Sequence, residues 1–401
     1  MKCRCNWWLG SNAGADKASV LQHKGHARTL RSTGGFQLLP NPMPEQNPAG
    51  PNWSMEALVS AKRLAGSGQN RRGLMIGLAA VAALASAYAL SRHQKSPALA
   101  VERLSIALPL VPHAGLVHIA ASKGFFADRG LAVTLLPQSH GKAALAELLR
   151  GGADLAASAD VPVVIEVLNG APLSIAATMA SASNELAVLA RRDRGINAAA
   201  DLRGHRVGVT LGTSGEFFLW AFLVRHRLAP ESLTLVDLPP GRLNAALRDG
   251  SVDAIAAWQP VRHEAEATLG HAIASFGAPD AYAQNYVLAG RQDFMSARPE
   301  ALRRLMLALQ DAEHFVQLEP QQAKALLAER LKLDAEALEP AWRTLSLELE
   351  QQQSLLVTLE DVAVWAMARG YAPAQPMPNF LPHLYLDALA AVRPERVTVV
   401  R

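Results

Sequence analysis

The fold turns on the stretch HAGLVHIAASKGFFADRGLAVTLL, residues 113–136. A helical pattern over 114–122 runs into Gly124 and two phenylalanines, crosses a charged turn and passes into an apolar strand. Gly124 is placed just past the last helical turn, in the left-handed conformation where a Cβ is penalised. Phe125 and Phe126 are expected to fold back as core, and the strand to start at once.

Working outward, helix and strand alternate. LSIALPL (104–110) precedes as a strand, and LAVTLLPQ (131–138) is the second. Helices are expected at 141–150 and 161–168, with ADLAASA (153–159) as a strand between them. LSIAATMA (173–180) and ELAVLAR (185–191) follow as strands. The cycle then restarts: strands at 201–212, 233–239, 252–258, 271–277 and 285–294 are separated by helices at 215–225, 242–249 and 261–268. Short, continuously apolar strands between helices predict an α/β fold whose sheets are mixed but mostly parallel. After Pro299 the pattern is almost pure helix, at 300–316, 320–331, 334–347 and 359–369.

Two α/β halves with a helical tail imply two lobes. The chain is expected to leave the first half near 191–194 and return near 286–291, so that lobe I is 103–191 plus 291–401 and lobe II is 192–290. Two crossing strands would form the hinge, and a ligand would lie between the lobes at the carboxyl ends of the strands.

The front of the chain differs in character. Residues 1–100 hold 12 Lys and Arg against 3 Asp and Glu, leaving 27 basic and 32 acidic residues for the body. The body is thus mildly acidic, without a basic patch or interleaved aromatics, which argues against nucleic-acid binding by it. Residues 1–72 read as a disordered basic tail, with Met55 as an alternative start. Residues 73–90 form an uncharged apolar run after Arg71-Arg72, read as a signal peptide or a membrane anchor, and 91–102 as a linker. Export to the periplasm is expected, with cleavage and anchoring both open. Both cysteines, Cys3 and Cys5, lie in the tail. The body therefore has no disulfide, thiolate metal site or Cys nucleophile, and no catalytic residues, cofactor or metal are expected.

Candidate ligand-binding residues come from the ends of strands. His113 follows the first strand, Ser139 and His140 the second. Ser158 and Asp160 end the third, where Asp160 serves equally as a helix cap. Asn184 lies in the loop after the fourth. In GTSGEFFLW, Thr213, Ser214 and Gly215 open a helix whose free N–H groups and dipole suit an anion. Glu216 stands at capping-box spacing from Thr213 and opposes an anion unless it turns back. Trp258 ends a strand of the second half and is either a stacking platform or core.

The body resembles the periplasmic substrate-binding proteins of ABC importers for nitrate, taurine and other sulfonates, a superfamily that includes thiamine-pyrimidine synthase-like proteins. The resemblance rests on HIAASKGFFADRGLAVTLL, GGADLAASADVPVV, DLRGHRVGVTLGTSGEFFL, ALRDGSVDAIAAWQP and YVLAGRQDF, in that order. It implies the type II two-lobed periplasmic-binding-protein fold with a C-terminal helical segment. It also implies a monomeric, non-enzymatic receptor that hands a small solute to a membrane permease with separate ATPase subunits. A pyrimidine-precursor enzyme of the same fold, or a membrane-anchored sensor, is the alternative. The superfamily's pyrimidine synthases use a cysteine-rich stretch, which this body lacks.

Overall fold

The computed structural model describes residues 100–400. The tail, the apolar run at 73–90 and nearly all of the expected linker lie outside the described residues.

The first lobe opens with β1 (Glu102–Pro109), a 3₁₀ turn and α1 (Gly115–Lys123). Gly124 closes α1 at φ 79° with its N–H bonded to Ala120 and Ala121 carbonyls, the left-handed stop expected of it. The strand does not follow at once. Phe125–Asp128 forms a short helix, α2, which buries Phe126 and sets Phe125 edge-on to Phe315 at 6.5 Å. The aromatic pair thus needs a full turn of its own to reach the core.

The chain continues through β2 (Leu131–Gln138), α3 (Gly141–Leu149), β3 (Leu155–Ala159), α4 (Asp160–Leu168), β4 (Leu173–Ala182) and β5 (Ala187–Arg191). The second lobe adds β6 (Arg206–Val209), α5 (Ser214–Arg225), β7 (Thr234–Asp237), α6 (Pro240–Asp249), β8 (Ala254–Ala257), α7 (Val261–Leu269) and β9 (Ile273–Gly277). β10 (Gln284–Arg291) returns to the first lobe.

The two sheets share one plan. The first has the order β11-β4-β10-β3-β1-β2, where β11 is the short Leu345–Ser346 strand of the tail, and the second β7-β6-β8-β5-β9. In the first, β1 runs parallel to β2 and β3, and β10 runs against both β3 and β4. In the second, β6 runs parallel to β7 and β8, and β5 runs against β8 and β9. Apart from β11, which runs against β4 at the edge of the first sheet, each sheet therefore has four strands pointing one way and one reversed strand in the same slot. That reversed strand is the one by which the chain arrives from the other lobe.

The crossings accordingly fall at 183–186 and 278–283, earlier than expected at both places. β5 pairs only within the second sheet, which moves 187–191 out of lobe I. β10 pairs only within the first sheet, which moves 284–290 out of lobe II. Apolar runs of this kind fit either sheet, and backbone pairing decides between them. The expected strand at 285–294 also stops at Arg291, because Gln292–Ala297 turns into a helix, α8.

The tail contains α9 (Pro299–Leu318), α10 (Pro320–Leu331), α11 (Ala335–Thr344), the short β11 (Leu345–Ser346), α12 (Gln353–Ala368) and α13 (Asp387–Ala390). Asp334 caps α11, accepting from Ala337 N at 2.7 Å. The helix expected over 334–347 ends early because Leu345 and Ser346 pair with β4. On one flank the core runs from lobe to lobe: Trp365 of α12, fully buried, meets Phe217 of α5 edge-on at 5.4 Å.

Candidate functional site

A cavity of about 210 Å³ opens where the carboxyl ends of β1, β2 and β3 face those of β6, β7 and β8. It is smaller than the ~300–1,000 Å³ typical of drug-sized ligands, so it suits a small solute. Five helices, α3 to α7, begin at these strand ends, and Gly141, Pro162, Ser214, Pro240 and Val261 from their first turns line the wall. Helix N-termini carry unpaired N–H groups and partial positive charge. Prolines at 162, 240 and 260 remove donors from the α4, α6 and α7 ends, and the first residue of α4 is the acidic Asp160. The anion-favouring pole is therefore built by α3 and α5.

Six of the ten expected residues line the cavity: His113, Ser139, His140, Thr213, Ser214 and Trp258. Ser139 Oγ and His140 Nδ1 are bonded at 2.8 Å. Burial, reinforced by Lys142, pushes the His140 pKa down. Thr213 occupies the N-cap of α5, but its hydroxyl donates to Thr210 O at 2.6 Å. Glu216 does turn back. Its Oε2 accepts from Gly212 N at 2.7 Å and from the Tyr371 hydroxyl, and Arg369 lies 3.5 Å from Oε1. The carboxylate is thereby drawn off the cleft and neutralised, leaving the α5 N-terminus open to an anion.

The other four stand outside the cavity lining. Gly215 lies behind Trp258, so close that a Cβ there would sit 3.1 Å from the indole. Ser158 is fully buried under the α3 N-terminus. Asp160 is also fully buried. It accepts from Val161 N at 2.8 Å, from Asn285 N and Nδ2 at 3.1 Å each, and from the Tyr282 hydroxyl. Burial raises its pKa to about 6 against the pull of these four bonds. Its role is to fasten α4 to the second crossing segment. Asn184 is exposed on the first crossing segment, its carbonyl held by Arg262 at 3.2 Å.

Four important residues were not expected. Lys142 is the one Lys or Arg in the lining, and its Nζ donates to Leu211 O at 2.9 Å across the cleft. A basic residue in the first turn of a helix works against the dipole, and that was the available signal. Gln284 and Tyr286 line the floor from β10. Glu185, 1% exposed, receives His113 Nε2, and the His113 ring packs on Tyr286 at 5.2 Å. Burial, with Glu185 nearby, raises the Tyr286 pKa and keeps the phenol neutral. Much of the rest of the wall is apolar, including Leu110, Val111, Pro240, Pro260 and Val261.

Among the described residues no group of three or more His, Cys, Asp or Glu side chains is placed to hold a metal ion. No described helix is long and apolar enough to cross a membrane.

Two sheets with matching reversed strands, and one cavity shared at their strand ends, define a two-lobed periplasmic-binding-protein fold. Solved structures agree. The alkanesulfonate-binding protein of Xanthomonas axonopodis pv. citri, bound to MOPS, superposes with a TM-score of 0.62 at 19% identity, covering 72% of this chain and 99% of that one. The periplasmic nitrate-binding protein of Synechocystis PCC 6803 gives 0.60 at 15% identity, covering 73% and 89%. In sequence, a Brucella abortus (strain 2308) protein that carries the name of a binding protein is 25% identical over 257 residues, 59% of this chain and 79% of the relative. The chain belongs to the NMT1/THI5-like family, whose model matches residues 111–323.

Proposed function

We propose that this chain is an exported receptor for a small organic anion, serving an ABC importer. The single observation that carries the reading is the cavity built jointly by the strand ends of both lobes, with Lys142, the first turns of α3 and α5 and the Trp258 ring in its wall. Nitrate, sulfonates and taurine-like solutes are the class that the named relatives and neighbours suggest. The crossing segments 183–186 and 278–283 act as the hinge, and closure presents both lobes to a membrane permease whose separate ATPase subunits supply the energy. Binding proceeds without chemistry, in a monomer held in the periplasm, with residues 73–90 as leader or anchor.

A thermal-shift panel of nitrate, bicarbonate, taurine, alkyl and aromatic sulfonates and pyrimidines tests this. A ligand at a hundred times its Kd adds about 2.7 kcal/mol of stability, an upward shift in Tm that is readily seen. A hit among the anions is the expected result. Silence from every anion, or turnover of a pyrimidine, contradicts it.

A further inference from the structure

The first turn of α5 belongs to the second lobe, yet its carboxylate finds side-chain partners on the first. Glu216, 2% exposed, accepts from the Tyr371 hydroxyl and has Arg369 3.5 Å away. Tyr371 follows α12 and is fixed there. Its N–H donates to Ala366 O at 2.9 Å, its carbonyl accepts from Asn169 Nδ2 at 3.0 Å, and its ring packs on Trp365 at 5.3 Å. Burial and the Glu216 carboxylate raise the Tyr371 pKa, so the phenol keeps its proton and stays a donor.

Gly212, four residues ahead of Glu216, is wedged between two first-lobe side chains. It stands at φ 69°, and a Cβ there would lie 2.9 Å from Lys142 Nζ and 3.5 Å from the Tyr371 ring. Phe217 completes the joint, edge-on to Trp365 at 5.4 Å and to Tyr282 of the second crossing segment at 4.9 Å. A buried carboxylate that lost its donor would keep its desolvation cost, so the joint resists opening.

The other flank of the second lobe is held differently. Arg262 of α7 donates to Asn184 O at 3.2 Å, in the first crossing segment rather than in the first lobe. Beside it an open groove of about 470 Å³ lies between α7 and α11, lined by His263 and Thr268 from the second lobe and by Leu333 and Glu336 from the first. Pro260 lines both this groove and the ligand cavity, so the gap adjoins the cleft. The second lobe is built on one sheet and moves as one body, and a body pinned at one turn can only rotate about it.

We propose that the α5 N-terminus is pinned to the first lobe and is the pivot of closure, with Tyr371 as the positioning residue that pins it through Glu216. The inference rests on the solute-capture reading and goes beyond it. The α3 and α5 N-termini keep one spacing whether the cleft is open or shut, so a solute meets a finished pole, and Trp258 and Pro260 swing in on the far flank.

Pulsed electron paramagnetic resonance on the full-length chain, with Cys3→Ser and Cys5→Ser as background, tests the proposal. One spin-label pair is Val224→Cys on α5 with Val364→Cys on α12, both exposed. The other is His271→Cys after α7 with Glu329→Cys on α10, also exposed. Without ligand, the first pair should give a narrow distance distribution and the second a clearly broader one. Tyr371→Phe keeps the ring on Trp365 and should broaden the first pair while leaving the second as it was. Glu216→Gln keeps the shape of the joint and should do the same, which keeps the test readable if Tyr371→Phe does not fold. Saturating nitrate or propane-1-sulfonate should narrow the second pair and leave the first in place. Equal widths for the two pairs, a first pair that neither variant changes, or a probe that moves both pairs alike overturns the proposal. Because the pin is read without ligand, silence from both probes counts against anion capture and leaves the pin standing.

Discussion

The ammonium of Lys142, in the first turn of α3 on the first lobe, donates to the carbonyl of Leu211 on the second lobe at 2.9 Å. One charge therefore lines the cavity and spans the cleft, so attraction of an anion and approach of the lobes draw on the same group. Bonds to charged groups contribute about 1.5–3 kcal/mol. Lys142→Met should weaken binding of an anionic solute by about tenfold or more, with little change in ligand-free Tm because the side chain is exposed. Titration calorimetry checks this, and unchanged affinity would remove Lys142 from the site.

Trp258 owes its position to Gly215 behind it. A Cβ at 215 would lie 3.1 Å from the indole, closer than ring and methyl settle without movement. Gly215→Ala should therefore displace the ring and reduce affinity, while Trp258→Ala should reduce it further, in both cases with the fold retained. Circular dichroism together with calorimetry separates the effects. A Trp258→Ala protein with wild-type affinity would show the ring to be packing alone.

Two buried groups give the stability opposite slopes with pH. Burial raises Asp160 to about 6 from an ordinary 3.8, so between those values the folded chain holds a proton that the unfolded chain has released, and stability falls as pH rises. Burial lowers His118 to about 4 from 6.5, its bond to Pro109 O at 3.2 Å opposing, so over nearly the same range the unfolded chain holds the extra proton and stability rises with pH. Each effect amounts to about 3 kcal/mol, and in the wild type they offset. Asp160→Asn should expose the rising slope and His118→Gln the falling one, read as Tm against pH from 4 to 6.5. Parallel slopes in the two variants would contradict the assignment.

The strand ends of the forward strands were legible from sequence because each is an apolar run broken by a helix start. His113, Ser139, His140, Thr213, Ser214 and Trp258 follow from that rule alone. The same rule carried in Ser158 and Asp160, since nothing in the order of residues says that these two turn into the core. It missed Gln284, Tyr286 and Glu185 for one physical reason. β10 and β5 run against their neighbours, so the cleft meets their amino ends: Tyr286 pairs with Ala159 at the carboxyl end of β3. A reversed strand is recognisable only once its pairing is known. The early crossings have the same origin. Gly124 was legible because a left-handed stop needs no tertiary contact, whereas α2 forms only to seat Phe126 against a distant core.

The most direct test of the account is small-angle scattering from the full-length chain, with and without a saturating concentration of whichever anion raises its Tm. Capture by two lobes about the 183–186 and 278–283 crossings predicts a smaller radius of gyration with ligand, and a lesser change in Lys142→Met at equal saturation. An unchanged radius at saturation, in a sample that calorimetry shows to be fully bound, would contradict lobe closure as the mode of capture.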